Sequence, residues 1–176
     1  YQWDIPVVAG DFEPDIPADF TTDQMDGTPM PSYSDEGMID ALRIAADFTG
    51  RYPKTLDHDA LQQLVKQMTE ALDTSDRPAV QQFREELKNA GSREAAMQVS
   101  QGRFMKLMTL TVFPLMLAGQ GAEPVYHGDV VTPSDAELPL MRWKVSDGRY
   151  RMIFGDLHAE TVTAEALAEL EAALPQ

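Results

Sequence analysis

Asp156, His158 and Glu160 are the trio best spaced for chemistry in this chain. On a strand, alternate side chains leave one face, so these three would present a carboxylate, an imidazole and a carboxylate, the O/N/O set that zinc or a similar ion accepts. The same alternation is what a half-buried strand shows when its polar face is solvated, with Leu157, Ala159 and Thr161 turned inward. Both readings stay open from the residues alone.

His127 sits between Tyr126 and Gly128, and His58 lies between Asp57 and Asp59. Asp156 and His158, with Tyr126 or His127, form the material for a hydrolase or small-ligand site between a helical body and a C-terminal hairpin. No nucleophile elbow accompanies them, and the serines (Ser34, Ser75, Ser92 and Ser146 among them) fall at cap and turn positions. Asp11, Glu13 and Asp15 share an alternate spacing that suits weak calcium binding, but Ile16 stands where an EF-hand loop needs glycine. A solvated charge run has the same pattern. Met97, Met105, Met108 and Met116 recur along one segment, either filling a core or lining an adaptable groove for a partner. The sequence contains no CxxC pair, glycine-rich phosphate loop or basic patch, so it calls for no cofactor and assigns no catalytic residue.

Charge narrows the partners. The 176 residues include 29 acidic and 14 basic side chains, a formal net charge of −15. Such a surface repels phosphate backbones and anionic lipid, which argues against nucleic acid as a ligand. Zero cysteines removes disulfides, thiolate metal sites and thiol nucleophiles together. The longest apolar run, residues 107–119, contains two threonines and Pro114 and is shorter than the roughly 20 residues of a membrane span, so it reads as a core helix.

The elements that must position these residues follow from periodicity. Residues 1–33 read as an extended acidic arm: every formal charge before Arg43 is negative, and Pro6, Pro14, Pro17, Pro29 and Pro31 oppose helix formation. Its apolar anchors, from Trp3 to Phe20, suit a connector to a preceding domain, and the chain reads as part of a longer protein. Residues 34–176 read as a single α+β domain, mostly helical, with four to five helices. Ser34 caps a helix that ends at Gly50, and a Tyr-Pro turn leads to a second over 59–72. A third runs from Pro78 toward Gly91. Ser92 opens a long helix predicted to kink near Pro114, stop by Gly119 and lie enclosed at the centre. The period then changes to two: residues 140–145 and 150–154 flank Asp147-Gly148, a hairpin signal, and 157–162 supply a third strand of a small antiparallel sheet. Thr163 caps a last helix.

The segment Gly50-Arg-Tyr-Pro-Lys-Thr-Leu56 within residues 41–57, together with Tyr126-His-Gly128, Met141-Arg-Trp-Lys-Val145 and residues 150–157, resembles the C-terminal region of large cell-envelope proteins of planctomycete bacteria. The likeness covers roughly residues 34–170 and brings no established activity or catalytic residues. The Gly50 to Leu56 turn is also similar to the one that follows the helix of type II secretion pseudopilins. The resemblance implies a non-catalytic structural or interaction module in the periplasm or cell envelope, its partner another protein or a preceding domain of the same chain.

Overall fold

The computed structural model describes residues 33–146 and 148–175. The acidic arm, with Asp11, Glu13, Asp15 and its expected role as a connector, lies outside them. The rest is α+β, with a helical body in the order α1 (Asp35–Thr49), α2 (His58–Thr74), α3 (Pro78–Asn89), α4 (Arg93–Leu107) and α5 (Thr109–Gly119). The strands β1 (Val125–Tyr126), β2 (Pro139–Ser146), β3 (Arg149–Phe154) and β4 (Ala159–Thr163) and a final α6 (Ala164–Ala172) follow. Since α4 and α5 abut at Met108, the body before the sheet is built of four helical rods, and α6 makes a fifth.

Local chemistry explains most boundaries. The hydroxyls of Ser34, Ser92 and Thr163 and the carboxylate of Asp57 each accept a hydrogen bond from a first-turn N–H, satisfying donors that the helix itself leaves open. Gly50 closes α1 in the left-handed region, φ 81°, which costs glycine little. Pro78 opens α3, where its missing N–H would be unpaired anyway. Two guanidinium donors of Arg84 on α3 reach Leu72 O and Ser75 O, tying α3 to the otherwise open carbonyl end of α2.

The strands form one antiparallel sheet in the order β1-β2-β3-β4. Gly148, φ 68°, lies in the connection between β2 and β3, where the sequence signals the hairpin. The expected third strand is β4. The two-residue β1 has no signal in the sequence, because a pair of residues carries no period. Alternation along β3 splits the core. Ile153 joins Leu140, Trp143 and α1–α5 on one face, while Met152 and Phe154 pack with Leu167 of α6 on the other. Phe113 of α5 meets Trp143 of β2 edge-on at 5.4 Å, and Arg151 of β3 pairs with Asp35 of α1 at 3.0 Å.

Two expectations about the long helix are corrected. It is interrupted at Met108, about a turn and a half ahead of Pro114, and α5 runs on through Pro114, which removes the bond to Leu110 O without ending the helix. Nor is this helix the enclosed one. That place belongs to α1, where Met38, Ala41, Leu42 and Ala45 are wholly buried and which touches α2, α3, α4 and α5.

Candidate functional site

The polar candidates separate. Asp156 and His158 lie in the turn between β3 and β4 and not on a strand, which corrects the alternate placement read from their spacing. Gly155 forces that turn: a Cβ there would stand 2.3 Å from Asp135 O, and Leu157 follows at φ 69°. The His158 N–H donates to Asp156 Oδ1 at 3.0 Å, and its ring Nδ1 contacts the same oxygen at 2.5 Å. The ring also stacks on Phe154, 4.2 Å between centroids. The His158 backbone N–H, aided by its ring, holds the Asp156 carboxyl below the usual range. Glu160 stands apart on β4. Among the described residues no group of three or more His, Asp or Glu is arranged to hold a metal ion.

Tyr126 and His127 diverge. The Tyr126 hydroxyl donates to Pro53 O at 2.8 Å, and the Tyr52 hydroxyl donates to Gly155 O at 2.6 Å. Together they clamp the Tyr-Pro turn onto the sheet. Burial, reinforced by the nearby Asp156 carboxylate, pushes the Tyr52 phenol up to about 12, and burial raises Tyr126 as well. His127 faces α6, where its Nε2 is 3.8 Å from Glu171 Oε1, an oxygen already held at 3.0 Å by Arg142 Nε. His58 is exposed at the start of α2, against Gln62. The three histidines thus occupy three different places. A cleft of about 310 Å³ does open at the Tyr-Pro turn, between Arg51, Lys54, Asp57 and Gln63, but no histidine lines it.

The apolar surface is concentrated instead. Six large hydrophobic side chains are exposed among the described residues, and four of them are on α4 and α5: Met97 at 62%, Phe104 at 42%, Leu115 at 72% and Met116 at 41%. Met108 joins the two helices with helical backbone angles, φ −59° and ψ −24°, so positions can be counted through it. At 3.6 residues per turn, Met97, Phe104 and Leu115 fall within about 20° of one another, with Met108 and Thr111 between them. The buried Leu110, Phe113 and Leu117 lie on roughly the opposite side, and the buried Leu107 on the flank.

Two cations are found between Met97 and Gly119, the half-buried Arg103 and the exposed Lys106, and both point away from the stripe on the wheel. Arg103 is engaged there: its guanidinium lies 4.0 Å over the Phe83 ring and pairs with Glu86 at 3.1 Å. Beside it, a groove of about 150 Å³ lined by Phe48, Met68, Leu72 and Phe83 opens toward Phe104. The methionine spacing gave the signal for this face. That Phe104 and Leu115 are exposed could not be read from the sequence, because apolar residues scattered around a helix do not say which side is covered.

Comparison with protein-family models, with curated proteins and with solved structures finds no match to this chain.

Proposed function

We propose that this domain is a non-catalytic interaction module of a bacterial cell-envelope protein and that it meets its partner through the exposed α4–α5 face. The observation that carries the reading is the stripe Met97, Phe104 and Leu115 on the side of the helix pair away from its core. α5 is apolar on every side, and a helix of that kind belongs in an interior, so its exposed Leu115, continued by Met97 and Phe104 on the more polar α4, points to a second body that completes the cover. Methionine side chains at such a surface adapt to a partner's shape. The split of Asp156 and His158 from Glu160, and of His127 from both, agrees with a binding role. The setting in the envelope rests on the resemblance of residues 34–170 to envelope proteins.

A photoreactive phenylalanine analogue at Phe104, introduced into the full-length protein in its native host, tests this reading. Cross-linked adducts are expected from Phe104 and not from Gln63 on α2, with the protein in the envelope fraction. Equal adduct yields from the two positions, or a purely cytosolic distribution, would overturn it.

A further inference from the structure

We infer that the occupant of the α4–α5 face is the same face of a second copy of this chain, a step that rests on the interaction reading above. Three features select it. The first is shape: side chains repeating at three- and four-residue intervals make a convex ridge, and a ridge of that period fits another helix. Residues 1–32, with five prolines, are a poor source of one.

The second is charge. Two copies each carrying −15 repel over most of their surfaces and can approach only where neither is charged. From Met97 to Gly119 the two charged residues, Arg103 and Lys106, are turned from the stripe, so two such stripes meet without opposing like charges.

The third is self-complementarity. With the helices antiparallel about a two-fold axis near residues 106 and 107, Met97 of one copy meets Leu115 and Met116 of the other, and Phe104 meets Met108. Each large side chain lies against a flexible one.

Size sets the strength. Residues 97–118 span about 32 Å of helix, roughly one helix diameter wide, or about 350 Å² per copy. That is about 700 Å² in total, below the roughly 1,200 Å² at which stable specific interfaces begin, so the dimer is weak and transient, with a Kd on the order of 100 µM.

Sedimentation equilibrium of the whole chain from roughly 1 to 300 µM reads this out. The mass is expected to climb from the 19.5 kDa monomer toward twice that value. Leu115→Glu and Met97→Glu should each weaken association by at least about tenfold while near-ultraviolet circular dichroism stays native. The two variants back each other if one perturbs the fold. Gln63→Glu should behave as the parent. Raising sodium chloride should strengthen the dimer by screening the repulsion.

A parent chain that stays monomeric throughout the range, a dimer untouched by both variants, or one weakened by salt overturns the inference. A monomeric chain whose Phe104 still cross-links another protein in cells removes self-association and leaves the interaction reading standing. Loss of the Phe104 adducts as well removes both.

Discussion

Tyr52 and Tyr126 are worth more to the fold than to any reaction, since both hydroxyls donate to backbone carbonyls at the junction of turn and sheet. Their titration has a definite sign. A phenol with a folded value near 12 binds its proton more firmly than the unfolded phenol, which ionises near 10. The stabilisation is therefore complete below about pH 10 and declines as pH rises toward 12. Thermal melts across that window should show the loss, and it should shrink in Tyr52→Phe. On the acid side, Asp57, held low chiefly by the Ala60 N–H, and Asp156 act in the reverse sense. Their support is present at neutral pH and is lost as pH falls through the carboxylate range. Gly128 is closely enclosed by the tyrosine clamp: a Cβ would stand 2.2 Å from the Tyr126 hydroxyl and 2.3 Å from Pro53 O. Gly128→Ala should cost about 1 to 3 kcal/mol in denaturant unfolding, because the clamp must open to admit it. The reading of Asp156 as a strand residue failed at this scale for one reason: alternation cannot reveal a left-handed Leu157, a conformation that bulky side chains rarely adopt.

Helices and strands carried clearer signals where a local group fixes their ends. Ser34, Ser92 and Thr163 are legible as caps because a hydroxyl placed before an apolar period satisfies open N–H groups wherever it occurs. The run through α4 and α5 was less legible. Its apolar residues occupy all sides, so periodicity says that a helix forms and does not say which face is covered. Neighbouring positions on α5 make the distinction measurable. Phe113 is buried against Trp143, and Phe113→Ala should cost about 3 to 5 kcal/mol. Leu115, two residues on, is mostly exposed, and Leu115→Ala should change stability by no more than about 0.5 kcal/mol. Chemical denaturation of the two variants, with equal slopes against denaturant, checks the contrast.

The molecule is a three-layered body: α1–α5, a four-stranded antiparallel sheet, and α6 behind it. Among the described residues no helix is long and apolar enough to cross a membrane, although residues 107–119 are the most apolar run in the sequence. Their apolar character is shared between the core and the outer stripe. Composition showed the strong negative charge, and only the placement of residues on the helices shows that the charges leave the stripe from Met97 to Leu115 clear. If that face serves association and not the fold, the melting temperature of Leu115→Glu, taken at low micromolar concentration where the monomer prevails, should match the parent within about 2 °C. A buried position would lose several kcal/mol on receiving a charge. A drop of about 6 °C or more would therefore place Leu115 in the core and contradict the account.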